Sequence, residues 1–519
     1  MAFNDITIAQ GRGNFLTWCV SGSLPGNALC KPLYIGQAIE PKPADLVLGQ
    51  VYEVYSADQA FAIFGTGSPL ALMAVQHFDC CPSLPLSLVA VGTTGTAVVA
   101  ENTMTITGPA TAAGILSFAV MDVAFQIVVQ AGDTAADIAT ATAAAISART
   151  VLPFTAEADA AVVTLTAKFA GDSGNWFAPL FNPNMGDALP GGVTVEIEQS
   201  VTGAADIDID QAASLFACCY DCVATSFEDE DANNQILDWI ADKWDCGIQG
   251  NFCGGHLFHA KTDTVANLVS YGKTRNSAAE CVIPVPLRTT PQAANESYKY
   301  PGYLLAAAMA SRVCCTACED PSRPVQYDNG VLCELYDSRL CAGIFSQEEK
   351  RALFDAGLVL WDVAGTTGVR DTSLVIEEPL TTYKYSPTTG APDLAWRRVE
   401  TRYTTMKFTR DLGTWYKANY SSVSLVNDGT RIPRGKRAIS PSILRASITA
   451  WILQSQVGLT AEGDAAAIEK MVTVTRTNQP GRCDPDRVDV SIDLDLVNQL
   501  ARIATSVNVS PEFSCRVAA

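Results

Sequence analysis

Gln50-Val-Tyr-Glu-Val-Tyr-Ser56, the following Ala57-Asp-Gln-Ala-Phe-Ala-Ile-Phe64 and the later Leu84-Pro-Leu-Ser-Leu-Val-Ala-Val91 decide the fold class. The first two read as a strand running into a helix: Ser56 stands where an N-cap is needed, and Ala60, Phe61 and Phe64 share the buried side. Gly65-Thr-Gly-Ser68 breaks that helix, and a second is expected from Pro69 to about Phe78. The run ending at Val91 is short and apolar, as in a strand that a sheet buries on both faces. This α/β pattern begins near Pro32 and resumes after Gly203. There a strand is expected at Phe216–Val223, a helix at Asn233–Asp245 with Ile236, Leu237 and Ile240 on one face, and a strand near Gly255–Ala260. Alternation continues to about Tyr383, which predicts a largely parallel sheet covered on both sides.

Between about Gly92 and Gly203 the composition shifts to Thr, Ala, Val and Gly. Met104-Thr-Ile-Thr, Ala161-Val-Val-Thr-Leu-Thr and Val193-Thr-Val-Glu-Ile-Glu alternate with period two, the signature of an inserted β-sandwich. One Ala-rich helix is expected inside it, from Asp133 to about Ala148, with Asp133 as its cap. From Gly390 the chain turns basic and then helical over Pro441 to about Val457, with Ile443, Leu444, Ile448, Trp451 and Ile452 as the apolar stripe. A strand at Arg487–Ile492 and a helix from near Asp495 complete an α+β unit. The expected division is a multidomain α/β and α+β chain: an N-terminal arm and linker (1–37), an α/β domain (38–91 and 204–389) interrupted by the β-sandwich (92–203), a C-terminal α+β domain (390–507) and a C-terminal arm (508–519). No repeat of 20 to 50 residues is visible.

With 519 residues, 48% hydrophobic and only 17% charged, the chain is too apolar to be disordered and long enough for two to four compact units. Its formal charge of −20 argues against binding nucleic acid or anionic membranes through their phosphates. The charge is uneven, because 6 basic and 27 acidic residues precede Asn251. Ten basic residues then fall within Trp396–Arg437: Arg397, Arg398, Arg402, Lys407, Arg410, Lys417, Arg431, Arg434, Lys436 and Arg437. A basic face beside an acidic half suits docking to another copy or to an acidic partner, although a solvated face has the same pattern. No secretory signal opens the sequence, and the most apolar stretch, Ile115–Ala131, is interrupted by Asp122 and Gln126; no membrane insertion is expected.

Seventeen cysteines and three histidines bound the chemistry. Cys246, Cys253, His256 and His259 are formally enough ligands for zinc, but on a strand the two histidines face opposite ways. Cys218, Cys219, Cys222 and Cys314, Cys315, Cys318 share the spacing Cys-Cys-x-x-Cys, which belongs either to buried inert thiols or to a metalloprotein or oxidoreductase. The clusters are too far apart in sequence for a zinc ribbon. No dinucleotide, Walker or nucleophile-elbow motif is present, so no catalytic residue, cofactor or metal ligand is assigned and no enzyme activity is expected.

Several stretches together resemble the contractile tail sheath proteins of Mu-like bacteriophages. They are Ala57–Ala71, Ala131-Gly-Asp-Thr-Ala-Ala-Asp-Ile-Ala139, Gly255-His-Leu-Phe258 with Arg275-Asn-Ser277, Asp320-Pro-Ser-Arg-Pro-Val-Gln326, Leu380-Thr-Thr-Tyr383 with Gly390-Ala-Pro-Asp393, Asn427-Asp-Gly-Thr-Arg431 and Asp495–Leu500. The resemblance implies a structural subunit that polymerises as stacked six-membered rings around a tail tube and contracts to drive the tube through the host envelope. It implies a subtilisin-like topology for the α/β domain without the protease's triad, and arms that add strands to neighbouring subunits. Its partners would be itself, the tube, and baseplate and terminator proteins. It would be assembled in the host cytoplasm and found in the virion tail. The sheath of a phage-derived bacteriocin or injection particle fits the same residues. The C-terminal domain is expected near the particle axis and the insertion outside, with Arg431, Arg434, Lys436 and Arg437 meeting the tube or a neighbour. The cysteine count departs from family habit; Cys19, Cys30, Cys483 and Cys515 are the candidates for disulfides between subunits in an oxidising exterior.

Overall fold

Along β1 (Pro32–Gln37) the side chains alternate between two cores: Leu33 and Ile35 enter one, and Tyr34 enters the other. This alternation follows from the pleat, and it places β1 in the middle of a sheet. The structure, a computed structural model, describes residues 31–497 except 122, 176–178, 183–185, 218–219, 245–254, 288–299, 327–330, 337–343, 364–372, 457, 461–462, 480–481 and 494. After β1 come β2 (Val51–Val54), α1 (Ala57–Phe64), α2 (Pro69–Cys80) and β3 (Leu86–Val91). Ser56 caps α1, accepting from the Gln59 amide at 3.4 Å, and Pro69 opens α2 at a position where its missing N–H costs nothing.

The chain then enters an antiparallel region made of β4 (Thr93–Thr107), β5 (Gly114–Val120), β6 (Val123–Val129), α3 (Ala135–Ser147), β7 (Phe154–Asp159), β8 (Val162–Ala170), β9 (Leu180–Phe181), β10 (Thr194–Val201) and β11 (Ala204–Ile207). One sheet runs β10-β4-β8-β7, with β11 also on β4; a second runs β6-β5-β9. Their shared core includes Met104, Leu116, Phe118, Ile138, Phe154 and Leu165. The cap of α3 is Thr134 and not Asp133. Thr134 and Asp137 satisfy each other's backbone N–H in a capping box, while Asp133 accepts from the Gln130 amide at 2.7 Å.

Beyond the insertion lie β12 (Cys222–Thr225), α4 (Glu230–Trp244), β13 (His256–Asp263), α5 (Val265–Thr274), β14 (Glu280–Pro286), α6 (Gly302–Glu319), β15 (Val331–Tyr336), α7 (Gln347–Ala356), β16 (Leu360–Val363) and β17 (Ser373–Glu378). The principal sheet orders β14-β13-β12-β1-β3-β2, parallel throughout except for the antiparallel edge strand β2. Three expectations are corrected here. Pro32–Gln37 is no part of an arm, since it pairs with β12 on one side and β3 on the other. The strand expected from Phe216 starts only at Cys222: Ile209–Ala217 forms a 3₁₀ segment whose Phe216 packs under the sheet. The parallel pattern also stops before Tyr383, because β15-β17-β16 is a separate antiparallel sheet.

The last described part holds α8 (Val399–Tyr420), β18 (Ser424–Leu425), β19 (Ala438–Ile439), α9 (Pro441–Ser455), α10 (Ala465–Met471), β20 (Val472–Gln479) and β21 (Arg482–Ile492). Phe408, Leu412, Ile448, Trp451 and Ile452 form its core, and Trp415 stacks on Trp451 with ring centroids 5.5 Å apart. Ile443, placed on the buried stripe of α9 by its spacing, is 45% exposed. Asp495–Val497 is not the start of a helix, because Leu496 bridges to Thr460 in extended form. Residues 1–30 and 498–519, which hold most of both expected arms, lie outside the described residues.

Candidate assembly surface

The loop between β18 and β19 presents Arg431, Arg434, Lys436 and Arg437, all exposed, and none forms an ion pair with another described residue. Its base is fixed. Asp428 accepts from the Ser442 amide at 2.9 Å and the Ser442 hydroxyl at 2.6 Å, which puts a carboxylate at the N-terminus of α9. Asn427 accepts from Arg476 of β20. Four cations are therefore carried on an anchored loop and face solvent.

Of the other six, Arg397, Arg398, Arg402 and Arg410 turn inward, Lys407 is partly covered and Lys417 is exposed, which corrects the expectation of one continuous basic face. Arg397 lies 4.0 Å over the Phe354 ring and donates to the Phe354 carbonyl. Arg398 pairs with Glu378, and Lys407 with Asp411 at 3.1 Å one turn along α8. Arg402 is buried, and that burial pulls its guanidinium down to about 10. Arg410 is buried against Asp221 at the root of β12, with a second contact at 3.1 Å. Arg398 fastens the start of α8 to β17, and Arg410 fastens its middle to the root of β12.

Behind them is a buried polar knot. Glu280 receives Arg275 Nη2 at 2.7 Å and Nε at 3.0 Å, the Thr382 hydroxyl at 2.9 Å and His259 Nε2 at 3.2 Å. Burial pushes the Glu280 carboxyl up, but the contacts from His259 and Arg275 outweigh it and hold the group at about 2. Asn276 accepts from the amides of Lys384 and Tyr385, and Lys384 Nζ donates to the carbonyls of Gly272, Arg275 and Ala356 at 2.6, 2.6 and 3.0 Å. One buried ammonium thus serves carbonyls at the ends of α5 and α7, and burial lowers it to about 8. Tyr383 donates to Asp393 at 2.7 Å, and Val325 donates to Glu400 at 3.0 Å. The stretches at 275–277, 380–383 and 390–393 are separate in sequence and meet here, while 320–326 is tied to α8 through Glu400 and Thr404.

His256 and His259 both lie on β13 and face opposite sides: His259 reaches Glu280, while His256 lies 4.9 Å from the Tyr403 ring. Cys246 and Cys253 lie outside the described residues, as do Cys218, Cys219, Cys19, Cys30 and Cys515. Cys483, expected in a loop, stands on β21 opposite Asn478. Members of the two cysteine clusters, though about ninety residues apart in sequence, lie near each other. Cys222 donates to the Ala310 carbonyl of α6 at 3.3 Å, and Cys80, Cys222 and Cys314 all surround Tyr34. Among the described residues no three His, Cys, Asp or Glu side chains are arranged to hold a metal.

No family model matches the chain. The Mu-like prophage FluMu tail sheath protein of Haemophilus influenzae is 26% identical over 492 residues, which is 95% of this chain and 94% of that protein. The chain is a homologue of that sheath protein. Among solved structures, a sheath tail protein from Desulfitobacterium hafniense is similar at a TM-score of 0.43 and 12% identity, covering 88% of this chain and 92% of that one. The anti-feeding prophage helical sheath in its contracted state is similar at a TM-score of 0.43 and 11% identity, covering 98% and 100%.

Sequence reasoning missed Asp221, Glu280 and Lys384, the residues that hold the homologue of a sheath subunit together from inside. Glu280 was visible: a lone acid opens Glu280-Cys-Val-Ile-Pro-Val-Pro286, a strand otherwise without charge, and a buried acid needs a cation. Asp221 gave the same signal, a lone acid in the otherwise uncharged Phe216-Ala-Cys-Cys-Tyr-Asp-Cys-Val-Ala224, whereas Lys384 gave none, because its neighbours in sequence are polar.

Proposed function

We propose that the chain is the structural subunit of a contractile tail sheath, polymerising with copies of itself around a tail tube and shortening to drive that tube through a host envelope. The observation that carries this reading is the end-to-end match to a tail sheath protein, which leaves no large part of either chain over. The polar knot supports it physically, since a subunit that transmits force needs its sheet and its C-terminal helices fixed to each other. Stacked six-membered rings, docking through terminal arms, baseplate and terminator contacts, and a life that starts in the host cytoplasm and ends in the virion are parts of the proposal. So are the division at 92–203 and 390–507, the outward position of the insertion and the absence of catalysis. Arg431, Arg434, Lys436 and Arg437 are proposed to meet the tube or the acidic half of a neighbour, where Glu157, Asp159, Glu196 and Glu198 are exposed. Cys19, Cys30, Cys483 and Cys515 are proposed to link subunits. Electron microscopy of the purified full-length chain tests the reading: polymeric sleeves or stacked rings are expected, and a monodisperse monomer at all concentrations and ionic strengths overturns it.

A further inference from the structure

The end of α2 and the middle of α6 are held together in two successive helical turns. In the first, His77 Nδ1 lies 2.9 Å from the Ser311 hydroxyl, and that hydroxyl donates to the His77 carbonyl at 3.1 Å. Tyr34 closes the same turn, 3.3 Å from His77 and donating to the Ala307 carbonyl at 3.0 Å. One turn further on, four residues along each chain segment, stand Cys81 and Cys315. Their side chains are hydrogen-bonded to each other. Cys81 sits just past the last residue of α2, its amide donating to the His77 carbonyl at 2.8 Å, so the backbone that carries it is fixed by the turn below.

We propose that Cys81 and Cys315 form a reversible disulfide that ties α2 to α6 once the protein leaves a reducing compartment. The neighbouring thiols are poorer choices: Cys314, Cys222 and Cys281 are fully buried and inaccessible to an oxidant, whereas Cys315 is partly exposed. Cys81 also makes the Cys315 thiol more acidic than usual by hydrogen bonding to its charged form, against the opposing effect of burial. The oxidant is a small-molecule disulfide of the oxidised-glutathione class. The Cys315 thiolate attacks one of its sulfurs, a mixed disulfide forms at Cys315, and one small thiol leaves. Cys81 then loses its proton and attacks Cys315 Sγ, expelling the second small thiol. Two protein thiols are oxidised, and one disulfide is reduced to two thiols. This bond lies within one chain, so it is separate from any link between subunits and does not depend on the sheath assignment.

The test uses the full-length protein, incubated with excess oxidised glutathione, denatured, alkylated with iodoacetamide and digested with chymotrypsin without reduction. Mass spectrometry is expected to find a peptide pair joining the Cys80–Cys81 segment to the Cys314–Cys315 segment, and to lose it after dithiothreitol. The pair should persist in C80S and C314S and vanish in C81S and in C315S. Oxidation should raise the Tm of the wild type and of C80S, and leave C81S unchanged. Alkylation of both Cys81 and Cys315 after oxidation overturns the proposal, as does a bond from either residue to Cys80, Cys314 or exposed Cys318.

Discussion

Arg410 of α8 and Asp221 at the root of β12 form a buried ion pair across 189 residues of chain, the aspartate only 1% exposed. Asp221 is also held by the Lys31 amide at 3.1 Å, and its carbonyl accepts from Tyr403 at 2.8 Å. The start of β1, the start of β12 and the long helix α8 therefore share one carboxylate.

Replacing one member leaves the other charged in a dry site. Arg410→Met is expected to cost about 3–5 kcal/mol in urea unfolding, and Arg410→Met with Asp221→Leu is expected to recover a large part of that loss. Equal destabilisation in the single and double variants would count against the pair as the cause.

Burial raises Glu228 to about 7, and nearby Asp172 pushes in the same direction, while the amide and hydroxyl of Thr262 and Lys261 oppose it. A carboxyl whose folded value lies above its unfolded one favours the folded state fully below about 4.5, and that contribution disappears as pH rises through about 7. Stability is therefore expected to fall by roughly 3 kcal/mol between those limits from this group. Glu228→Gln should flatten that part of the pH profile, measured as Tm from pH 4.5 to 8; an unchanged slope would dismiss Glu228 as its source.

Gly67 joins α1 to α2 in the left-handed region at φ +81°, and an added Cβ would lie 2.3 Å from the Leu152 carbonyl of the insertion. Lys168 spans the same seam, donating to the carbonyls of Thr66 at 3.1 Å and Thr150 at 2.8 Å. Gly67→Ala is expected to cost about 2 kcal/mol or more and to speed proteolysis near Thr150. Wild-type protease resistance would contradict a close seam.

The exposed loop gives the assembly prediction. Charge reversal of Arg434, Lys436 and Arg437 is expected to leave Tm within about 1 °C, because none has an intrachain ion pair with a described residue, and to weaken polymerisation most at low salt. Sedimentation at several ionic strengths separates the outcomes. Polymerisation insensitive both to reversal and to salt would mark the loop as a merely solvated face.

The α/β character was legible because Leu86–Val91 is apolar enough for only one kind of strand, and because Ser56 and Pro69 mark helix starts by their own chemistry. Pro32–Gln37 was misread because a central strand shows its two-sided burial only when its partners are known. The four loop cations were found by composition, and so were Arg398, Arg402 and Arg410. Charge counting cannot tell a residue that faces water from one that faces a carboxylate brought in from 189 positions away.

The place of β1 between β3 and β12 also sets an order of events on the ribosome. The chain leaves the sheet at Val91 and returns at Cys222, so β1 has one side bare until the whole insertion has been translated. During that interval Tyr34 lacks Ala307, His77 lacks Ser311, and an unfinished strand edge is open to any passing chain. The antiparallel region has its own core and can collapse in the meantime, while the missing half of the sheet is still being made.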